Sequence, residues 1–137
     1  MFRDLDRLYL TYTRINKSPL GSGPVGGSTI PIDRERTAML LGFDGLVTNS
    51  LDATSSRDTI VELMSALSIL MITLSRIAED LIIWSTQEFD YVELADTCAS
   101  SSSAMPQKKN PDPLELLRSR TTIVVGNLVT SLALSLI

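Results

Sequence analysis

The sequence predicts an all-α protein, and three observations carry that prediction. Residues from Asp58 to Ser85 contain neither glycine nor proline, while Ile60, Met64, Leu67, Met71, Leu74, Ala78 and Leu81 recur at alternating steps of four and three. That spacing lines apolar side chains along one face of a helix. Asp112-Pro113-Leu114-Glu115 reads as a helix start, with Asp112 as N-cap, Pro113 at the first helical position and Glu115 as capping-box partner. Leu5, Leu8, Tyr9, Tyr12 and Ile15 repeat the helical spacing near the start of the chain.

In chain order, residues 2–17 form a helix with one buried face, ended by Ser18-Pro19. Pro19 to Pro31 is loop chemistry, with Gly21, Gly23, Gly26, Gly27 and three prolines in thirteen positions. A short helix follows Asp33 until Gly42-Phe43-Asp44-Gly45 breaks the chain. The long helix near 58–86 bears a second stripe at Leu63, Leu70, Ile77 and Trp84, as a central helix with several packed neighbours would. Its charges, Glu62, Arg76, Glu79 and Asp80, sit toward the ends. Ser100 to Pro111 is polar and of low complexity, a mobile loop. Leu114, Leu117, Thr121, Val124, Leu128 and Leu132 then carry a helix over 112–137. Ile137 interrupts this apolar pattern without a stop signal, so the chain is expected to be a piece of a longer protein.

Composition narrows the function. The 137 residues are 44% hydrophobic, 20% charged and 5% aromatic, with a net charge of −4, which describes one soluble globular unit with a real core. The acidic balance and scarcity of aromatics argue against nucleic acid as a partner. The absence of histidine excludes a Ser-His or Cys-His nucleophile and any His-ligated metal site built from this chain alone. The single Cys98 is expected as a small core residue in a reducing cytoplasm. No signal peptide is read at the start, and the uncharged stretches 63–75 and 121–137 fall short of a membrane span.

Two segments carry candidate chemistry. Gly21-Ser22-Gly23-Pro24-Val25-Gly26 has the spacing of a dinucleotide-binding loop, but no β-rich strand precedes it, and Pro24 and Pro31 keep a helix from starting on its last glycine. A tight connection between helices is the favoured reading, with a carboxylate cradle of backbone N–H groups as the other. In Ser100 to Pro111, hydroxyls, two ammonium groups and an amide lie on a loop feeding a helix N-terminus, where an anion is stabilised. A solvated linker has the same composition.

Ser102-Ser103-Ala104-Met105-Pro106-Gln107-Lys108-Lys109-Asn110-Pro111 resembles the signature loop of the fumarase/aspartase superfamily, of general form Gly-Ser-Ser-x-Met-Pro-x-Lys-x-Asn-Pro. The wording from Met105 to Pro111, continued by Asp112 and Leu114-Glu115-Leu116, is similar to the argininosuccinate lyase family within it. Leu20-Gly21-Ser22-Gly23, Asn49 to Ser55 with Arg57-Asp58, and Leu74 to Leu81 extend the resemblance. Ser101 stands where the superfamily pattern has glycine, and the family's Thr-His segment is expected upstream of Met1.

The resemblance implies a long-helix bundle of the fumarase/aspartase type. Residues 1–137 would form part of its central domain, with the family's N-terminal and C-terminal parts absent. It further implies a cytoplasmic homotetramer whose active sites are shared between subunits, with neither cofactor nor metal and no membrane partner. The implied reaction is β-elimination of argininosuccinate to arginine and fumarate. Adenylosuccinate or another fumarate-releasing lyase substrate, or a non-catalytic crystallin-like oligomer, are the alternatives.

Carried over by position, Ser102 is the base, Lys108 and Asn110 stabilise the carboxylate dianion, and Glu115 orients a histidine acid from another subunit. Ser103, Met105 and Gln107 join Asn110 as substrate contacts, and Lys109 is electrostatic support. Bland readings stand beside these: a solvated Lys108, a turn residue at Asn110, a capping partner at Glu115. Arg57 and Arg118 are ion-pair candidates, and the 137-residue piece alone is expected to be inactive.

Overall fold

The helices begin where the sequence supplies acceptors for their first N–H groups. The computed structural model describes residues 1–105 and 107–135. Pro106 of the signature loop and the last two positions of the expected final helix lie outside them. Among the described residues the helices are α1 (Phe2–Ile15), α2 (Arg34–Leu40), α3 (Ser50–Ser55), α4 (Asp58–Trp84) and α5 (Asp112–Leu134). A single antiparallel ladder joins β1 (Ser100–Ser101) to β2 (Lys109–Asn110). The all-α expectation is met.

Two compact units are resolved: Phe2–Ala66 with residues 131–135, and Leu67–Thr130 with Met1.

In the first unit, α1 turns only Leu8 and Ile15 of its expected face inward. Leu5, Tyr9 and Tyr12 are exposed, whereas Asp4 and Thr11 are 4% and 2% exposed, so the inward stripe is the buried Asp4 and Thr11 with the half-buried Leu8 and Ile15. Asp4 is sustained there by Arg7, whose Nη1 donates to Oδ1 at 2.7 Å. Arg14 reaches across to Glu62 of α4, donating through Nε at 2.6 Å. Asp33 caps α2 as expected, accepting from the N–H of Arg36 at 2.9 Å. The helix stops at Gly42, whose φ of +80° is accompanied by the Phe43 N–H bond back to the Ala38 carbonyl at 2.9 Å. The short α3 was not expected. Its signal is Asn49, which accepts from the N–H groups of Leu51 and Asp52 at 3.0 and 3.3 Å. Arg57 forms no ion pair among the described residues and donates instead to the carbonyls of Thr54, Ser55 and Ser56.

The glycine-rich segment is a tight connection. Arg34 ties it together, donating to the Leu20 carbonyl at 2.9 Å, to Ser22 Oγ at 3.0 Å and to the Val47 carbonyl at 3.1 Å. Ser22 and Gly27 direct their N–H groups to the carbonyls of Pro19 and Ser22, leaving neither free for a ligand. Gly23 has φ +60°, and a Cβ there would lie 2.3 Å from the Gly27 carbonyl oxygen, whereas nothing lies within 4 Å of a Cβ at Gly26. Gly23→Ala should therefore destabilise by about 2 kcal/mol or more, combining left-handed backbone strain with a clash against backbone. Gly26→Ala should be near neutral, and comparing the two by thermal unfolding checks the difference.

The second unit is built on α4 from Leu67 onward and on α5 as far as Thr130. Thr121 is buried and donates to the Leu117 carbonyl at 3.0 Å and across to the Met71 carbonyl at 3.3 Å. Arg118 pairs with Glu79 at 2.5 Å, so the ion pair expected of Arg118 is present. Numbers rise along α4 from Met71 to Glu79 as they fall along α5 from Thr121 to Arg118, so the two helices run antiparallel. The first stripe of α4 is largely covered, but Leu63, Ile77 and Trp84 of the second are exposed. Among the described residues the fully buried apolar side chains are Ala38, Ala66 and Ala78 alone, so the sizeable core expected from length is not formed within this chain. The cause is the helices themselves, apolar on more than one face and therefore in need of more neighbours than five helices supply. By length and a mean hydropathy of 1.8, α4 is apolar enough to cross a membrane, yet it carries Arg76, Glu79 and Asp80 and packs on α5 through a polar contact at Thr121.

Past Trp84 the chain is irregular. Ser85 and Thr86 hydroxyls return to the carbonyls of Ile82 and Ile83, and the N–H groups of Tyr91 and Val92 both take the Trp84 carbonyl. Cys98 ends a single 3-10 turn, Asp96–Cys98, and is exposed. Its expected place in a core is thus corrected, because a lone turn in an irregular segment has no second layer to bury it.

Candidate active site

The ladder closes the loop that the sequence left open. Ser100 pairs with Asn110 and Ser101 with Lys109, so both arms of the loop are joined immediately before α5. That helix starts at Asp112 rather than after it, since the Pro111 carbonyl accepts from the N–H groups of Leu114 and Glu115 at 2.9 and 3.1 Å. Pro111 thereby takes the N-cap position expected for Asp112, Pro113 moves to the second helical position, and Glu115 presents an exposed carboxylate near the helix N-terminus.

A cleft of about 430 Å³ opens beside the ladder, lined by Asp96, Ala99, Ser100, Ser101, Gln107, Lys108 and Lys109. Of the residues singled out from the sequence for a role at the site, it brings together Gln107, Lys108 and Lys109. Ser102, Ser103, Met105 and Asn110 belong to the same loop but lie outside this lining, as does Glu115 on α5. Ser102 is half-buried, and its Oγ accepts from the Ala104 N–H at 3.3 Å. The Lys108 N–H donates to the Met105 carbonyl at 3.0 Å. Ser100 and Ser101 enter the lining because the ladder places them there, a pairing that no local periodicity announces.

The two adjacent lysines are treated differently. Lys109 Nζ lies 2.7 Å from Asp96 Oδ1 and 3.1 Å from Glu93 Oε1. Among the described residues Lys108 has no carboxylate within ion-pair distance and stands exposed at the cleft. The hydrogen bond from Lys109 holds the Asp96 carboxyl below its ordinary value of 3.8, and the bonds to Asp96 and Glu93 push the Lys109 ammonium above its ordinary 10.5. The Asp96 charge therefore contributes above 3.8 and is lost only as pH falls through its depressed value, while that of Lys109 contributes below 10.5 and is lost as pH rises through its raised one. Both charges are present across the neutral range.

A family model described as lyase matches residues 1–126. The chain belongs to this lyase family. An argininosuccinate lyase from Nitrosopumilus maritimus is 61% identical to it over 130 residues, which are 95% of this chain and 27% of that protein. A crystal structure of EDDS lyase in complex with formate matches with a TM-score of 0.88 and 42% identity, over 93% of this chain and 26% of that one. A class II fumarase from Schistosoma mansoni, at 19% identity and a TM-score of 0.72 over 93% of this chain and 32% of its own, shares the fold. The architecture is thus a long-helix bundle of the fumarase/aspartase type. The chain spans about a quarter of the length of the curated relatives it matches, 27% for the first of them.

Proposed function

We propose that this lyase-family chain is the central segment of an argininosuccinate lyase, which cleaves argininosuccinate to arginine and fumarate by β-elimination. The observation that carries the reading is the loop from Ser102 to Pro111, whose side chains follow the signature in order and which presents Lys108 at a cleft with no carboxylate partner among the described residues. The 61% identity to a protein of that name supports it.

In this reading a proton leaves the carbon beside a carboxylate and negative charge gathers on that carboxylate, to be released into the new C=C bond as the C–N bond breaks and the protonated amine leaves with its electron pair. Ser102 takes the proton, while Lys108 and Asn110 stabilise the dianion. Ser103, Gln107 and Met105 contact the substrate. Glu115 orients a histidine acid that another subunit supplies, the present chain having none. The chemistry asks for neither metal nor organic cofactor. Exposed apolar side chains along α4 and α5, among them Ile77, Trp84, Ile123 and Val129, support assembly into a homotetramer with shared active sites. A cytoplasmic enzyme of amino-acid biosynthesis fits the single cysteine, which is exposed and free.

Fumarate release by the full-length protein tests the proposal. Turnover is expected with argininosuccinate and not with adenylosuccinate. The converse preference would reassign the substrate, and no release from either would favour a non-catalytic scaffold.

A further inference from the structure

We propose that Lys109 is the positioning residue of the signature loop, its ammonium clasping Asp96 and Glu93 so that the second arm of the loop sets Lys108 at the cleft. The inference rests on the lyase reading above and adds to it how the loop is held.

The ladder is two residues long on each strand, and a ladder of that size is not stable by itself. Between its strands the described bonds are local, from the Ala104 N–H to Ser102 Oγ and from the Lys108 N–H to the Met105 carbonyl. Lys109 alone among the described loop residues reaches outside with its side chain, to Asp96 and Glu93 in the segment that leads into the first arm. The clasp thus ties the outgoing arm to the approach of the incoming one.

Its carboxylates are 84% and 86% exposed at Glu93 and Asp96, so each pair is individually weak. Two carboxylates converging on one ammonium add their attractions to it, against their own mutual repulsion, and the arrangement can still open. It also separates the two cations. The charge of Lys109 is neutralised by the protein, whereas that of its chain neighbour Lys108 is left for a substrate carboxylate.

In the full-length protein, Lys109→Met is expected to lower kcat about tenfold with KM changed less than about twofold, while Lys109→Arg keeps most of the rate. Asp96→Asn, at an exposed position where folding is not at stake, should give part of the same loss. The Lys109→Met/Asp96→Asn double variant should be no worse than Lys109→Met. Hydrogen exchange over residues 100–111 should rise in Lys109→Met and in high salt, with 112–134 unchanged. That measurement needs no substrate. Failure of the wild-type protein to release fumarate would remove the proposed function, while exchange would still decide the clasp. Unchanged exchange in both Lys109→Met and Asp96→Asn, or additive rate losses in the double variant, would overturn it.

Discussion

Ser102→Ala in the full-length protein is expected to lower kcat by roughly 10²–10⁴, the usual worth of a positioned acid or base. A serine hydroxyl is a poor base at its ordinary pKa and needs donors and positive charge around its oxygen before it can take a proton. The structure supplies one donor, the Ala104 N–H at 3.3 Å from Ser102 Oγ, on a half-buried residue. Lys108, six residues on, is the nearest cation in the loop's sequence and is free of protein carboxylates among the described residues. Ser103→Ala should be milder. Ser100→Ala should be nearly silent, because the main-chain ladder to Asn110 does not use its hydroxyl. Measuring kcat together with solvent-isotope exchange at the substrate β-carbon checks the assignment. Normal turnover and exchange in Ser102→Ala would remove Ser102 as the base, and a reversed ranking would transfer the role to Ser103.

Lys108→Met is expected to cost about 10²–10³ in kcat with little change in KM. The substrate carboxylate gains charge as the proton departs, so an ammonium beside it acts more strongly on the transition state than on the bound substrate. Lys108 is suited to that part because its cleft neighbour Asp96 is already engaged by Lys109 at 2.7 Å. Steady-state kinetics separates the possibilities. A loss confined to KM would make Lys108 a uniform binding residue.

Local chemistry made much of this protein legible from its sequence. Periodicity without glycine or proline is enough to define α4, Asp33 is enough to start α2, and the beginning of α5 was displaced by a single residue. The loop of Ser102 to Pro111 was legible for another reason, since its mixed side chains in fixed order are specific without any knowledge of shape. Six-residue α3 escaped because a lone Asn cap is a weak signal when no apolar repeat follows it.

The helices α1, α2, α4 and α5, the tight glycine connection and the identity of the candidate loop were thus legible without the structure, because all of them depend on residues close together in the chain. Tertiary structure alone decided that Asp4 and Thr11 rather than Tyr9 and Tyr12 turn inward on α1, that Cys98 is exposed, and that Lys109 meets Glu93 and Asp96 while its neighbour Lys108 does not. The physical reason is common to all three. Whether a side chain is buried or paired is set by what lies across from it in space, not by its own chemistry or its neighbours in the chain, and the partners of Lys109 stand before the loop, brought within reach when Ser101 pairs with Lys109.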